Sequence, residues 1–344
     1  MFRSPANSII RLVLLPISLL FYHQLTGETL SILSPMFVVM FMTLMPSKPP
    51  LNMVLKVIIA LIFISFGVVF FGSVLVDSPM GFSVYCWALL FWSYTRSHKN
   101  TKDIIATLTI IVVIVMVVFS KQMQLPMGGL PMLFFDKMVV ALVVTYLGFW
   151  LFPGDETNIA PNAAALAAES TEVDFVIVAF KATAVALVLA ILVSHSASQT
   201  MLITITLGSM LKSPATVDHR IFSRNKLVTT GVGILFTLPL MLLMVSGAPT
   251  FVIYGVSLVC GLQLANFAIR RQTNLTIYQL LFTNFTTLTY QILSHPGSAS
   301  FSAQMTRMFS IVCAITVGAV ILGFIQGRSS DKVITHQSES ESKS

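Results

Sequence analysis

Residues 52–76 read NMVLKVIIALIFISFGVVFFGSVLV, a predominantly apolar stretch that carries a single charge, Lys56. A helix needs about 20 apolar residues to cross the hydrocarbon core of a bilayer, so this stretch predicts a membrane-spanning helix. The same pattern recurs along the whole chain. Further apolar segments lie at roughly 9–24, 29–46, 79–95, 103–120, 130–152, 174–193, 198–211, 225–246, 249–268, 275–292 and 303–326.

The composition agrees with this pattern. Hydrophobic residues make up 56% of the 344 residues and charged residues only 10%, whereas about a quarter of the residues in a soluble domain are charged. A chain this apolar cannot bury all its hydrocarbon surface within itself, so its surroundings must be lipid. We therefore predict an all-α polytopic membrane protein with about twelve transmembrane helices.

The charged residues and cysteines exclude several other classes of protein. The net charge is +7, but the basic residues stand singly in short loops and form no patch for nucleic acid. Cys86, Cys260 and Cys313 all lie inside apolar segments, without a CxxC spacing or histidine neighbours, so we predict neither a disulfide framework nor a metal site. No phosphate-binding G-x-x-x-x-G-K-[ST] pattern is present, and we expect no cofactor.

The loops predict the orientation in the membrane. Basic and non-basic loops alternate: Tyr94–Lys102 and Lys212–Lys226 are rich in Lys and Arg, whereas Asp77–Met80 and Ser246–Thr250 have none. Short cytoplasmic loops carry the excess of Lys and Arg, so both termini are expected in the cytoplasm, with an even number of spans.

Polar landmarks recur in the same order after 170–174 residues, which indicates an internal repeat. We predict a first six-helix repeat at residues 1–152, a cytoplasmic linker at 153–173, a second repeat at 174–327 and a disordered cytoplasmic tail at 328–344. Because six is even, the two repeats should be parallel. The matching pairs are Arg11 and Lys181, His23 and His195, Lys56 and Lys226, Cys86 and Cys260, Arg96 and Arg270, Asn100 and Asn274, and Lys137 and Arg307.

A duplicated set of six spans with a basic residue in the first helix resembles the fusaric acid resistance and aromatic acid exporter family of bacterial inner-membrane proteins. The residues that carry the resemblance are Arg11, Lys181, Arg307 and Lys226, the last followed by Gly231 and Gly233. The first half lacks the paired glycines, and the large cytosolic domains of many relatives are missing. The resemblance implies export of weak organic acids, often together with a periplasmic adaptor protein.

Four basic residues lie near the cytoplasmic ends of their spans: Arg11, Lys56, Lys181 and Lys226. One interpretation is that they extend to the lipid headgroups, as long basic side chains do. The alternative is a cationic vestibule that concentrates an anionic substrate from the cytosol.

Asp136, Lys137 and Arg307 lie toward the external ends of the last spans of the two halves. A partly desolvated carboxylate such as Asp136 can take up a proton, whereas a paired one stays ionised. These residues are therefore candidates for substrate binding or proton coupling, and an interfacial ion pair is the alternative.

The eleventh apolar segment is unusually polar. Thr283, Thr286, Thr287 and Tyr290 share one helical face through their i, i+3, i+4 and i+7 spacing, and Asn284 lies beside it. Such side chains can bind an organic solute, or they can bond neighbouring helices.

Together these features predict an inner-membrane exporter of small organic, in particular aromatic, acids that is coupled to protons and is not an enzyme. The expected partners are the bilayer, the anion and a periplasmic adaptor, and a homo-oligomer is compatible with the sequence. The two rival hypotheses are a membrane-embedded enzyme acting on lipid-type substrates, and a scaffold or assembly subunit that transports nothing.

Overall fold

The computed structural model describes residues 6–28, 31–44, 51–99, 103–122, 124, 126–153, 174–195, 199–212, 216–271, 275–294 and 299–341. Within these residues the chain forms twelve α-helices, one for each apolar segment, which confirms the all-helical prediction. They are α1 (Ala6–Thr26), α2 (Leu33–Leu44), α3 (Leu51–Leu75), α4 (Pro79–Lys99), α5 (Ile104–Val117), α6 (Leu130–Leu151), α7 (Phe175–Ser194), α8 (Thr200–Lys212), α9 (Thr216–Val245), α10 (Thr250–Arg270), α11 (Leu275–Ser294) and α12 (Ala299–Glu341).

The sequence predicts about twelve transmembrane helices, whereas eight helical segments of the described chain are long and apolar enough to cross a membrane. They are Ala6–Thr26, Val54–Leu75, Ile105–Gln122, Met127–Leu151, Phe175–Ser194, Ser223–Val245, Thr250–Arg270 and Ser302–Gly323. Many of their large apolar side chains are exposed, for example Phe63 and Phe70 on α3. Exposed rings of this kind are stable against lipid tails and costly against water, which agrees with a bilayer environment.

Local sequence explains where several helices begin and end. Asp103 caps α5, since its Oδ1 accepts a hydrogen bond from the Ile105 backbone N–H at 2.9 Å. Asp174 caps α7 in the same way through Val176, also at 2.9 Å. Each carboxylate satisfies one of the backbone donors that the first helical turn leaves unpaired.

The last helix continues further than its composition suggests. The sequence analysis places a disordered tail at 328–344, whereas α12 continues to Glu341. After Gly327 the segment contains neither proline nor glycine, and its Lys, Gln and Glu residues favour helix, so nothing in the local sequence ends the helix at the apolar boundary.

The helices form two compact units, each of which combines helices from both halves of the sequence. Unit 1 comprises Met1–Phe63, Pro131–Ala167 and Arg224–Met308. Within it, α1 packs on α2, α10 and α11, and α11 also packs on α2 and α10. The first two helices of the chain therefore contact the fourth and fifth helices of the second half.

Unit 2 comprises Ile64–Leu130, Ala168–Ser223 and Phe309–Ser344. Within it, α7 packs on α4 and α8, and α5 packs on α4 and α8. Here the first two helices of the second half contact the fourth and fifth helices of the first half. Four pairings of unit 1, α1 with α2, α1 with α10, α2 with α11 and α10 with α11, therefore have counterparts in unit 2 with the two halves exchanged. Neither unit coincides with one of the predicted halves.

Candidate functional site

Three helices of unit 1 bring polar side chains together among apolar neighbours. Thr237 Oγ1 of α9 lies 3.4 Å from Oε1 of Gln304 on α12, and Asn284 of α11 bonds two threonines of α9. These contacts join three separate helices through side chains alone. We refer to the group as the α9–α11–α12 cluster, and its members are Lys226, Thr229, Thr230, Thr237, Asn284, Gln304 and Arg307.

The orientation of Asn284 follows from the chemistry of its partners. Thr229 and Thr230 both donate their hydroxyl protons to the backbone carbonyl of Lys226, at 3.2 and 2.8 Å. A hydroxyl has one proton to give, so these oxygens are left as acceptors. Asn284 must therefore present Nδ2 to them, which it does at 3.1 Å to each. Its Oδ1 is buried and accepts no hydrogen bond within the described part of the chain.

Two cations belong to this cluster. Arg307 is only 5% exposed, and its Nε has no hydrogen-bond partner among the described residues. Lys226 of α9 is half-buried, and its backbone carbonyl accepts the hydroxyl protons of Thr229 and Thr230. Neither cationic side chain forms an ion pair with a described residue. The sequence predicts the two residues at opposite ends of their spans, and the structure places them on two helices that the cluster joins.

The side chains of the predicted polar face of α11 differ in burial and in their hydrogen bonds. Thr286 and Thr287 are buried, and Thr283 and Tyr290 are half-buried. Thr287 donates to the backbone carbonyl of Thr283 at 2.6 Å, so its hydroxyl is satisfied within its own helix. Asn284, next to Thr283 at the start of that face, is the α11 side chain that forms hydrogen bonds with threonines of α9.

A second polar group lies where α1 ends, also in unit 1. Gly27 adopts a positive φ of 66°, which ends α1 and lets the Glu28 backbone N–H donate to the His23 carbonyl at 3.1 Å. This turn brings the Glu28 carboxylate to 2.8 Å from His23 Nδ1 and into a hydrogen bond with the buried Lys137 of α6. Asp136 is 59% exposed, and its Oδ2 is 3.6 Å from Lys137 Nζ.

The basic residues of the first helices have different surroundings. Arg11 is buried in unit 1, where its guanidinium lies over the Phe149 ring at 4.0 Å and donates to the Phe152 carbonyl at 3.3 Å. Lys181 is buried in unit 2, where its Nζ is 3.2 Å from His98 Nε2. Lys56 is exposed on α3. The four residues proposed as a vestibule therefore include two that pack against protein groups.

The sequence analysis overlooked Glu28, His98 and Gln304. Gln304 precedes Arg307 by one helical turn, so an i, i+3 search of the last span finds it. Glu28 follows Gly27, and a glycine that ends an apolar span signals that the next side chain turns back over the helix. For His98, which closes α4, its neighbour Lys181 is 83 positions away, and no local pattern connects them.

Comparison with known proteins gives one partial match. Residues 10–148 match a family described as proteins of unknown function, DUF2955. The match covers most of α1 to α6, which is less than half of the chain. No curated protein matches, and no solved structure matches. Since the matching family has no assigned activity, the resemblance to aromatic acid exporters stays a prediction.

The Glu28 group predicts a pH-dependent contribution to stability. The hydrogen bond from Lys137, together with the nearby His23, holds the pKa of Glu28 below its ordinary 4.5. A lowered pKa stabilises the fold above the ordinary value and ceases to do so as the pH falls through the lowered one. We expect Glu28→Gln to cost about 1–2 kcal/mol at neutral pH, after allowance for the 35% exposure of Glu28.

Thermal unfolding in detergent, measured at neutral pH and at several values below 4.5, tests this expectation. The difference in unfolding temperature between wild type and Glu28→Gln should become smaller as the pH falls, because the wild-type carboxylate then becomes protonated. Asp136→Asn is the matched control, since this exposed carboxylate makes only a long contact with the same lysine. A difference in unfolding temperature that does not change with pH would contradict the assignment of this effect to Glu28. An equal loss of stability in Asp136→Asn would also contradict it.

Proposed function

We propose that the chain is a membrane transporter that exports small organic anions and binds them in the α9–α11–α12 cluster. The observation that carries this proposal is the presence of two cations in one cluster, the buried Arg307 and the half-buried Lys226, without a carboxylate partner among the described residues. An isolated charge within a bilayer costs about 2.5–3.5 kcal/mol on insertion scales. A bound anion offsets this cost and the mutual repulsion of the two cations.

The remaining members of the cluster support reversible binding of an organic solute. Asn284 Oδ1 is a buried acceptor that is available to a donor group of the ligand. Leu288 packs close to Gly233, so apolar surface lies beside the polar atoms. A few convergent polar groups within an apolar wall are typical of small-molecule sites. Together with the family resemblance, this favours aromatic acids as substrates, and we propose transport coupled to protons and no catalytic activity.

We also propose that the two halves, 1–152 and 174–327, are parallel six-helix repeats joined by the linker 153–173. The support comes from the helix pairings within each unit. In unit 1, α1 and α2 pack on α10 and α11; in unit 2, α7 and α8 pack on α4 and α5. A duplicated sequence whose halves exchange their first two helices produces this correspondence, since four of the pairings recur when each helix is replaced by its equivalent in the other half.

The proposed location is a bacterial inner membrane, with both termini and the linker in the cytoplasm. A periplasmic adaptor protein and a homo-oligomer are the proposed macromolecular partners. The alternation of basic and non-basic loops supports the orientation.

Reporter fusions test the proposed topology. A reporter fused after Ser344 or inserted within 153–173 should be active in the cytoplasm, because the alternation of basic and non-basic loops along the chain places both positions on that side. A reporter after Ser298 should be active outside, because the loop before α12 carries no Lys or Arg. Each site needs both a cytoplasm-active and a periplasm-active reporter as mutual controls. An external linker would contradict the parallel repeats.

The transport proposal is tested with the purified full-length chain in liposomes. The liposomes contain unlabelled benzoate, and radiolabelled benzoate is added outside. The uptake of label by counterflow is compared with that of protein-free liposomes. Unlabelled benzamide, a neutral molecule of the same shape, serves as the matched competitor. We expect protein-dependent benzoate counterflow that benzoate inhibits and benzamide does not. Equal competition by benzamide, or no flux with benzoate and a panel of other aromatic and aliphatic carboxylates, would overturn the proposal.

A further inference from the structure

Lys137 and His23 form a buried basic site in unit 1, and a carboxylate of the chain itself occupies it. Lys137 of α6 and His23, near the end of α1, are both buried. A single oxygen of Glu28, Oε2, accepts a hydrogen bond from Lys137 Nζ and lies 2.8 Å from His23 Nδ1. The other carboxylate near Lys137, that of Asp136, is exposed and lies at the longer distance of 3.6 Å. Glu28 is therefore the main counter-charge of this site.

Glu28 enters the site from a turn and not from a packed helix. Gly27, with its positive φ of 66°, follows the end of α1, and Glu28 comes directly after it. Glu28 lies beyond the apolar span Ala6–Thr26, and its side chain is 35% exposed. The site is thus open to water on the side from which the carboxylate enters. Buried cations with one open side can bind a carboxylate that does not belong to the chain, once the Glu28 side chain is removed.

The equivalent basic residue of the second half has no such partner. Lys137 and Arg307 are 170 residues apart, each is 5% exposed, and each is followed by a methionine. Arg307 forms no ion pair with any residue that the structure describes. The sequence gives a reason for this difference. The connection between α1 and α2 carries Glu28, whereas the connection between α7 and α8, at 195–199, reads His-Ser-Ala-Ser-Gln and carries no carboxylate.

The neighbours of the two basic residues also differ. Gln304, three residues before Arg307, has its Oε1 3.4 Å from Thr237 of α9. Phe134, three residues before Lys137, is buried and apolar. The sequence 175–327 contains a single acidic residue, Asp218. The second half therefore offers a cation and an amide to an anion from outside the chain, whereas the first half supplies the anion itself.

We propose that Lys137 and His23 form a second carboxylate-binding site, which Glu28 fills as a tethered substitute for the anion that Arg307 binds. The first half then has a closed counterpart of the transport site, and the chain binds one anion. The comparison with Arg307 rests on the proposed anion site and on the proposed repeat. The capacity of Lys137 and His23 to bind a free carboxylate rests only on the contacts within unit 1.

Chemical rescue of Glu28→Ala by acetate tests this capacity in the full-length protein in detergent at neutral pH. Acetate replaces the Cγ and the carboxyl group that the substitution removes. Glu28→Ala should unfold at a lower temperature than wild type, and acetate should recover most of this decrease in a saturable way. Concentrations on the order of 10–100 mM are needed, because a short tether provides a millimolar effective concentration. Chloride at equal ionic strength, and acetamide as a neutral molecule of the same shape, should recover none of it.

Two variants are the matched controls. Glu28→Ala combined with Lys137→Met lacks the cation and should not respond to acetate, and Asp136→Asn keeps Glu28 in the site and should not respond either. Equal recovery of Glu28→Ala by acetamide or chloride, or no response to acetate, would overturn the proposal. If Glu28→Ala aggregates in chloride, the yield of monodisperse protein purified in acetate is compared with that in chloride, and equal yields would also overturn it.

The number of bound anions separates this proposal from the transport proposal. By equilibrium dialysis in detergent, the wild-type chain should bind one radiolabelled benzoate, and Arg307→Gln should lose this binding at the same benzoate concentration. No binding by wild type, together with rescue of Glu28→Ala by acetate, would refute the anion site at Arg307 and support the site at Lys137. Two benzoate molecules bound per wild-type chain would contradict a first-half site closed by Glu28.

Discussion

Replacement of Arg307 by glutamine is expected to weaken binding of an anionic substrate by at least about 30-fold. Truncation of one partner of a buried charge pair costs about 2 kcal/mol or more, and each 1.4 kcal/mol is a tenfold change in affinity. Arg307 is 5% exposed, so water cannot replace the lost charge. Lys226→Gln should have a smaller effect, because Lys226 is only partly buried.

The measurement is the concentration dependence of benzoate counterflow by wild-type and variant protein at equal reconstitution. Arg271→Gln is the control for charge alone, since Arg271 is an exposed residue at the end of α10, with its guanidinium 5.4 Å from the Phe267 ring centroid. Arg307→Lys keeps the charge and should retain part of the affinity. If Arg307→Gln binds benzoate as tightly as Arg271→Gln does, the anion site lies elsewhere.

Replacement of Gly261 by leucine is expected to destabilise unit 1 by about 1–3 kcal/mol or more, the usual cost of overpacking. A Cβ at this position of α10 would lie 2.6 Å from Val13 Cγ1 of α1 and 3.3 Å from Phe285 Cε1 of α11. Three helices meet around this glycine, and the stiff side chain of Val13 has few rotamers to give way. Close packing over small residues is a main source of helix association in membranes.

Gly255→Leu is the matched control, because a Cβ at Gly255 on the same helix meets nothing within 4 Å. Both variants add the same apolar side chain and change helix propensity alike. Thermal unfolding in detergent and the yield of monodisperse protein should decline for Gly261→Leu and stay near wild type for Gly255→Leu. Equal unfolding temperatures would show that α10 does not pack on α1 and α11 as described.

Much of the secondary structure could be read from hydrophobicity. Even the short eighth segment, predicted at 198–211, forms the helix Thr200–Lys212. Apolar runs bounded by polar residues dictate helices because a chain in lipid must satisfy its backbone hydrogen bonds within each segment. The helix α12 extends to Glu341, past the end of its apolar segment, because helix continuation depends on backbone propensity and not on burial.

The contact partners of the predicted site residues were harder to predict from the sequence. Lys137 was paired with its sequence neighbour Asp136, yet the closer carboxylate is that of Glu28, 109 positions away. Neighbours at i and i+1 point to different sides of a helix, so adjacency is a poor guide to contact. The sequence marks Arg307 as an unusual basic residue, but the polar groups near it depend on how α9 and α12 pack.

The sequence by itself determined that this is a helical membrane protein, where its helices lie and which few polar side chains they carry into the apolar region. Those properties follow from the local cost of exposing polar groups to lipid, which each segment meets independently. Only the tertiary structure decided that each compact unit combines helices from both halves, and that Lys137 faces Glu28 while Lys181 faces His98. Such pairings are set by side-chain packing between helices that are distant in sequence. The hydropathy of a single segment contains no information about this packing.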